Sequence, residues 1–417
     1  MLDYPGRLVA RSSPHTLSHT AATRMSPNQQ SHPCLLSIPA EILYLIYGGL
    51  DRRSLLQLAR TCRMFHGLCI PLIYRAIEDR AATADTDTDM EDAAVTQQHS
   101  PARLKAFPLM LTLLGNPTVA NQVEHIRFDY ARLELPPIRD YRAILKRLFG
   151  IKMRSKNEAR RSDAIKMALV CLSPSASTLE MTTSHMQHDT DFLLAKADLY
   201  SVPKPKFTLH HLTSITVRLK LKNYVNSTPA NIDSIDISRL NGLLHCTLNL
   251  ASLTIYYASG GSSLTAQLPC LTSLRLIDSF LEGEGLKALT ASCRRLVHFE
   301  LAYSIWSSLL PYSPSTAAEV LGCLAPSKDT LQRLRLQIRP RDKWRLMEVE
   351  TVGAFPALRQ LTFDDRVLAR KAKSDDAALV RLIEGCPALE GLHLIGIKNL
   401  SAGELACFAR AVESERW

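Results

Sequence analysis

The side chains best suited to hold a metal ion lie close together near the middle of the chain. They are two histidines and two aspartates: His185, His188, Asp189 and Asp191. Imidazole and carboxylate groups are common zinc ligands, and three or four of them complete a site. The residues around them are polar and follow neither a helical nor a strand period, which is typical of a surface loop. The sequence therefore favours a loop over a metal centre, and no metal is expected.

The cysteines and the glycine-rich segments do not form a catalytic motif. Ten cysteines are scattered from Cys34 to Cys407 without a CxxC pair, which indicates buried thiols rather than a disulfide framework. None has a neighbouring His–Asp arrangement that would activate a thiolate. The sequence also lacks the GxxxxGK[S/T] phosphate loop and the GxSxG nucleophile elbow. We therefore expect no catalytic residue and no cofactor, and the chain is predicted not to be an enzyme.

The net charge of +10 is distributed unevenly. Residues 139–166 contain ten Lys or Arg and three acidic residues, whereas residues 85–92 contain five acidic residues and no basic one. The two patches could attract each other, or the basic one could bind an acidic partner or nucleic acid. A solvated helix face is favoured, and nucleic acid binding is not expected because the stretch contains no recognised nucleic-acid-binding module. No apolar run approaches the roughly 18 residues of a membrane helix, so no membrane partner is expected.

One apolar pattern, L-x-x-L-x-L, recurs nine times from residue 123 onward. The clearest copies begin at Leu250, Leu271, Leu296, Leu331, Leu358 and Leu389, and weaker ones begin at Val123, Ala176 and Leu212. Most gaps contain a helical pattern, for example residues 285–289 and 378–383. A short strand plus a helix at intervals of 20 to 40 residues is typical of a solenoid, in which each unit buries its apolar face by stacking on its neighbours. The predicted fold class is therefore α/β, although an unrelated alternation of strands and helices would also be compatible.

A solenoid presents the variable residues of successive strands on one extended surface. The candidates are the residues between the second and third apolar positions: Thr254, Arg275, Glu300, Arg335, Thr362 and His393. Tyr303 and Trp306 follow one of these strands, as Tyr256 and Tyr257 follow another, and aromatic residues are favoured binding anchors. We predict that this surface binds a protein, although any one residue could be an ordinary solvated strand residue.

Residues 36–74 form a separate set of short helices. The first is predicted to open at Ile38-Pro39, with Pro39 at the first helical position, and to stop at Gly48-Gly49. The second follows Asp51 or Ser54 as N-cap, and the third spans 64–68 and ends before Pro71. About forty residues cannot build an adequate core alone, so the segment is expected to need a partner.

This helical segment resembles an F-box. The family pattern is carried by Ile38-Pro39-Ala40-Glu41, Ile42, Ile46, Leu50, Leu55, Leu58, Cys62-Arg63 and Phe65. Ile38 stands where the family usually has Leu, and Phe65 stands where it usually has Trp. Residues 70–75 resemble the form common in fungal members. The repeats likewise resemble the degenerate leucine-rich repeats found beside many F-boxes. The family's Asn or Cys after the third apolar position is replaced, for example by Ser279, so its usual buried ladder should be missing or rebuilt.

The resemblance implies a substrate-recognition subunit of an SCF-type ubiquitin ligase. The F-box would bind a Skp adaptor, and through it a cullin, while the repeats bind an unknown target inside the cell, in the cytoplasm, the nucleus or both. The residues that would contact the adaptor are Leu36, Ile38, Pro39, Ile42, Ile46, Leu50, Leu55, Leu58 and Phe65. The alternative is a repeat scaffold without a ligase role.

These observations divide the chain into four segments. Residues 1–33 are predicted to be a disordered tail, 34–78 an F-box, 79–103 an acidic flexible linker, and 104–417 an irregular leucine-rich-repeat solenoid. The repeat region includes a basic helical insertion near 139–172.

Overall fold

The computed structural model describes residues 38–79, 106–128, 146, 158–183, 209–219, 234–303, 317–337, 355–364 and 386–395. The chain divides into two compact units, Met1–Gly49 and Leu50–Trp417. Predicted features that lie outside the described residues include the N-terminal tail, residues 80–103 of the linker, most of the basic stretch before residue 158, the helix at 378–383 and the histidine–aspartate cluster at 185–191.

One helix, α1 (Ala40–Gly48), is described in the first unit. Pro39 is its N-cap rather than its first helical residue, and its carbonyl accepts hydrogen bonds from the N–H groups of Ile42 and Leu43, both at 3.1 Å. Gly49 is the C-cap, so the predicted stop at the glycine pair is confirmed. The buried side chains of this helix, Leu43 and Tyr47, are four residues apart and therefore share one face.

The second unit begins with α2 (Arg52–Ala59) and α3 (Arg63–Tyr74). Asp51 is the N-cap of α2: its carboxylate accepts hydrogen bonds from the backbone N–H and the hydroxyl of Ser54, both at 2.9 Å. The prediction that the next helix ends before Pro71 was wrong, because α3 continues through it. An interior proline removes one helical hydrogen bond. The apolar residues beyond Pro71 offset this loss, since Ile73 extends the buried face begun by Phe65 and Cys69.

Twelve strands and six further helices make up the rest of the described second unit. The strands are β1 (Ala76–Asp79), β2 (His125–Phe128), β3 (Thr178–Thr183), β4 (Ser214–Leu219), β5 (Ile235–Asp236), β6 (Ser252–Tyr256), β7 (Ala258–Ser259), β8 (Ser273–Ser279), β9 (His298–Tyr303), β10 (Arg333–Gln337), β11 (Gln360–Asp364) and β12 (Gly391–Ile395). The helices are α4 (Ala106–Gly115), α5 (Pro117–Ala120), α6 (Glu158–Cys171), α7 (Asn241–Cys246), α8 (Gly283–Ala291) and α9 (Ala317–Leu324). Two 3₁₀ turns, Ile237–Leu240 and Ala325–Ser327, complete the described elements.

Ten of these strands form one parallel sheet in the order β1-β2-β3-β4-β6-β8-β9-β10-β11-β12. Each of the nine L-x-x-L-x-L copies supplies one strand, so the predicted α/β fold with stacked repeats is confirmed. Parallel neighbours that follow chain order are what a solenoid requires. Two features were not predicted. Strand β1 pairs in register with β2 at the end of the F-box-like segment, and β5 and β7 form a separate two-stranded sheet.

The same turn precedes most strands, which identifies the repeats as equivalent units. The N–H of the first apolar residue donates to the carbonyl three residues earlier, for example from Leu212 to Leu209 and from Leu358 to Phe355, both at 3.1 Å. The apolar residues on either side of this turn are buried in a continuous core that also receives the helices, including Leu286 and Leu289 of α8. The turn therefore fixes the point at which each strand enters the sheet.

Hydroxyl groups at the strand entries form a hydrogen-bond ladder of their own, at the opposite end of the strands from the family's asparagine position. Ser177, Thr213 and Thr272 donate to the carbonyl that precedes the neighbouring strand, at 3.1, 3.2 and 3.1 Å. Each of these carbonyls also accepts two backbone N–H groups from the next strand entry. The repeats are thus connected at their strand entries. Ser279 stands at the position of the family's asparagine and is buried.

The cap of α2 gives a pH-dependent prediction. Hydrogen bonds from Ser54 lower the pKa of Asp51 below its usual value of 3.8. A carboxyl with a depressed folded-state pKa stabilises the fold above its unfolded-state pKa and loses this effect as the pH falls through the folded-state value. We expect Asp51→Ala to lower the thermal midpoint at neutral pH. The difference in midpoint between the variant and wild type should shrink as the pH falls below about 4.

Thermal unfolding followed by circular dichroism measures this gap. Asp51→Ser is the matched control, because a serine cap still accepts the Ser54 N–H. At neutral pH, Asp51→Ser should lower the thermal midpoint less than Asp51→Ala does. A gap of constant size across the acid range would show that the cap does not act through its charge.

Candidate functional site

Helix α1 exposes several large apolar side chains. Ile42, Leu45 and Ile46 are 46, 77 and 50 % exposed. Residues three and four positions apart lie on one side of a helix, so these three form a single apolar patch. A cluster of exposed apolar residues of this kind marks an interaction surface more often than chance exposure of a single residue does.

The second unit exposes three further apolar residues within the F-box-like segment: Leu50, Leu56 and Met64. In contrast, Leu55 and Phe65 are buried in the helical pair that α2 and α3 form, and Leu58 is half-buried. Helical periodicity explains the difference, because Leu55 and Ala59 lie four residues apart on the inward face of α2.

The predicted adaptor-binding residues thus have different environments. Pro39, Ile42, Ile46 and Leu50 are exposed, Ile38 is half-buried, and Leu36 lies outside the described residues. Because Leu55 and Phe65 are buried, their side chains have a packing role and are not available to a partner. Sequence reasoning did not identify Leu45 and Leu56 as candidates, although the helical spacing from Ile42 to Leu45 was a usable signal.

The six predicted surface residues of the repeats lie in one row across adjacent strands. The sheet register pairs them in sequence, Thr254 with Arg275, Arg275 with Glu300, Glu300 with Arg335, Arg335 with Thr362 and Thr362 with His393. Side chains alternate between the two faces of a strand, and the flanking leucines fill the core. The row therefore lies on the face of the sheet opposite the core, which we name the open face.

Three charged residues in this row form a compact ion-paired group. The carboxylate of Glu300 contacts Nε of Arg275 at 2.6 Å and Nη1 of Arg335 at 3.3 Å. The side chain of Glu300 is 7 % exposed, whereas those of Arg275 and Arg335 are 39 and 44 % exposed. The two guanidinium groups thus cover the carboxylate and present positive charge to solvent.

Two neighbouring residues extend this charged group. Arg333 and His298 lie two positions before Arg335 and Glu300 on their strands, and they pair with each other in register. Burial lowers the pKa of His298; Arg275, Arg333 and Arg335 lower it further, while Glu300 raises it. His298 is therefore neutral at physiological pH and leaves the arginines as the positive charges of this region.

The predicted aromatic anchors are only partly available. Tyr303 is buried, because β9 extends two residues beyond the repeat motif and Tyr303 continues its inward alternation. Its prediction as an exposed anchor was wrong, and Trp306 lies outside the described residues. Tyr256 is half-buried on the open face, where the guanidinium carbon of Arg218 lies 4.8 Å from its ring centre.

The described thiols and histidines do not assemble into a reactive site. Burial raises the pKa of Cys171, with a contribution from nearby Cys246, to about 12, and that of Cys293 and Cys386 to about 11. These thiols are protonated at neutral pH and are poor nucleophiles. Within the described ranges, no three His, Cys, Asp or Glu side chains are placed to hold a metal ion. None of the helices described there is long and apolar enough to cross a membrane.

The architecture defines a class of protein: a short helical N-terminal segment followed by a parallel solenoid of leucine-rich type. Residues 35–79 match the F-box-like family. The chain therefore combines an F-box-like domain with leucine-rich-type repeats.

Comparison with whole proteins adds little to this assignment. A search of curated proteins finds no match. Solved structures that match include the crystal structure of the leucine-rich repeat-containing protein LegL7 from Legionella pneumophila, at 13 % identity and a TM-score of 0.23. This match covers 56 % of the present chain and 98 % of that one. The repeat assignment depends instead on the strand register and on the turn that precedes each strand.

Proposed function

We propose that this protein is the substrate-recognition subunit of an SCF-type ubiquitin ligase. The F-box-like domain binds a Skp adaptor and, through it, a cullin. The repeats hold a target protein for ubiquitin-dependent degradation. On this proposal the protein acts inside the cell, in the cytoplasm, the nucleus or both.

The exposed apolar patch of α1 is the observation that carries this proposal. Ile42 and Ile46 belong to the residues that carry the F-box pattern, and both side chains are about half exposed. Fully burying an aliphatic side chain contributes about 1.5 to 3 kcal/mol, so leaving such a patch in water is unfavourable unless a partner covers it. A Skp adaptor is the partner that the matched domain implies.

The proposed mechanism requires no chemistry from this chain. A target bound to the repeats would be tethered near the catalytic machinery carried by the cullin. Tethering raises the effective concentration of a target lysine and converts the encounter into an intramolecular one. The Cys171, Cys293 and Cys386 thiols, which are protonated at neutral pH, are compatible with this non-catalytic role.

Adaptor binding by the full chain tests the proposal. We expect a stoichiometric complex when the full chain is co-expressed with a Skp adaptor. The double variant Ile42→Asp/Ile46→Asp should weaken this complex at least about a hundredfold, since it removes two apolar contacts and buries two charges. Calorimetry or interferometry on the purified proteins gives the affinity.

Leu248→Asp is the matched control, because Leu248 is a similarly exposed leucine of the repeat region. This variant should bind the adaptor as wild type does, and circular dichroism should show that all variants fold. A folded wild-type chain that does not bind the adaptor would contradict the proposal. It would favour the alternative, a repeat scaffold that assembles proteins without a ligase role.

A further inference from the structure

The open face carries a concentrated positive charge on three adjacent strands. Strands β8, β9 and β10 each present three positions there: Ser273, Arg275 and Ile277; His298, Glu300 and Ala302; Arg333, Arg335 and Gln337. With His298 neutral, three arginines and one glutamate give a net charge of +2. Neighbouring strands are about 4.8 Å apart, so the arginines lie within a patch about 10 Å wide. We call these nine positions the arginine patch.

Glu300 holds two of the arginines in place. Its buried carboxylate engages Nε of Arg275 and Nη1 of Arg335 from opposite sides. Side chains that are already ordered lose less conformational entropy when they bind a ligand. A guanidinium group has five N–H donors, and each contact to Glu300 uses one of them. The patch is thus positioned to donate further hydrogen bonds to anionic oxygens.

Charge in the row of variable residues is segregated along the sheet. At the other end, the same row contains Glu78, Arg127 and Glu180, which sum to −1, and Arg127 lies 3.6 Å from Glu180. In this row Thr254 and Thr362 flank the arginine patch on both sides. The next basic residue of the open face on the β6 side is Arg218 on β4, two strands away, where it lies over the Tyr256 ring. A nucleic acid requires a longer positive track and stacking aromatics. The arginine patch is short and contains no aromatic residue, and the neighbouring Tyr256 ring is already in contact with Arg218. Such a patch suits a few carboxylates of a peptide.

We propose that the arginine patch binds an acidic segment of the target protein, rich in Asp or Glu and extended across β8, β9 and β10. This inference deepens the proposed function, on which it rests, by assigning a chemical class to the target. The carboxylates of the segment form charge-assisted hydrogen bonds with Arg333 and Arg335 on one side and with Arg275 on the other.

Fluorescence anisotropy with the full chain tests the proposal. The probe is a labelled peptide of alternating Glu and Gly, and its counterpart replaces each Glu by Gln. We expect the Glu peptide to bind, the Gln peptide not to bind, and added salt to weaken binding because exposed charges are screened. Arg333→Gln and Arg335→Gln should each weaken binding about threefold to tenfold, the usual effect of losing one charge-assisted hydrogen bond.

Arg359→Gln is the matched control. Arg359 is an exposed arginine outside the patch, paired with Glu390 at 3.1 Å, and its substitution should leave peptide affinity unchanged. Equal weakening by all three variants would overturn the proposal, because it would show a general charge effect. Tighter binding to a labelled oligothymidylate of equal charge would also overturn it and would identify nucleic acid as the ligand.

The two proposals can fail separately. The α1 variants change adaptor binding and should leave peptide binding intact, whereas the patch variants should do the reverse. A wild-type chain that binds the Glu peptide but no adaptor would contradict the ligase role and keep the acidic ligand. An intact adaptor complex with no peptide binding would contradict the acidic ligand alone.

Discussion

Replacing Gly285 with alanine is expected to destabilise the repeat region by about 3 kcal/mol, the upper range for overpacking a closely packed site. Gly285 lies in the first turn of α8, where a Cβ atom would overlap the carbonyl oxygen of Gly260. The loop with Gly260 cannot easily move away. Asp236 accepts a hydrogen bond from the N–H of Gly261 at 3.2 Å. Gly260 and Gly261 both have positive φ angles, 61° and 88°.

Gly322→Ala is the matched control for this prediction. Gly322 also lies inside a helix, α9, but a Cβ atom there would meet nothing within 4 Å. Alanine favours a helix over glycine by about 1 kcal/mol, so this variant should be slightly more stable than wild type. Denaturant unfolding of the full-length variants compares the two. A similar, small effect at both glycines would mean that the loop can leave Gly285 at little cost.

The sheet could be predicted from the sequence because its signal is local. Each L-x-x-L-x-L copy contains its own turn and strand. Stacking requires only that successive copies bury their apolar residues on the same side of the sheet. Even the weak copies beginning at Val123 and Ala176 supply strands in register. Strand β1 lacked this signal, since Ile77 is its only aliphatic residue larger than alanine. It forms because it pairs with β2, a partner distant in sequence.

The elements that could not be predicted depend on tertiary contacts. A proline is a reasonable helix end when only neighbours in sequence are considered. In the structure, burial of Ile73 beyond Pro71 outweighs the lost hydrogen bond. The close approach of α8 to the Gly260 loop likewise cannot be inferred from the glycines alone, because it joins residues 25 positions apart.

The open face shows a similar division. Its row of variable residues follows from strand alternation, and the sheet register makes these residues neighbours. The pairing of Glu300 with Arg275 and Arg335 depends on which strands are adjacent and in what register, which the sequence does not state. The α1 patch was partly foreseen through the family pattern. That pattern could not separate exposed Ile42 and Ile46 from buried Leu55 and Phe65, because a shared motif contains both core and contact residues.

Replacing Glu300 with alanine is the second change expected to have a large effect. Removing one member of a buried ion pair costs about 3 to 5 kcal/mol. Here the two arginines are partly exposed and can be hydrated, so we expect about 2 kcal/mol. Arg275 and Arg335 would then face each other across β9 without a carboxylate between them. Because part of the loss is repulsion, the deficit should shrink as salt screens the two charges. Denaturant unfolding at low and high salt measures it.

Glu390→Ala separates the effect of burial from that of losing any carboxylate. Glu390 pairs with Arg359 at a similar distance, but both side chains are more than half exposed. Exposed ion pairs contribute about 0 to 1 kcal/mol, so this variant should remain close to wild type. The stability loss of Glu300→Gln should lie between those of Glu300→Ala and Glu390→Ala. Its amide oxygen still accepts hydrogen bonds from one arginine, although the charge is lost. If Glu300→Ala and Glu390→Ala cost the same, Glu300 is not what holds the arginine patch together. The preorganisation assigned to it would then have to come from the sheet alone.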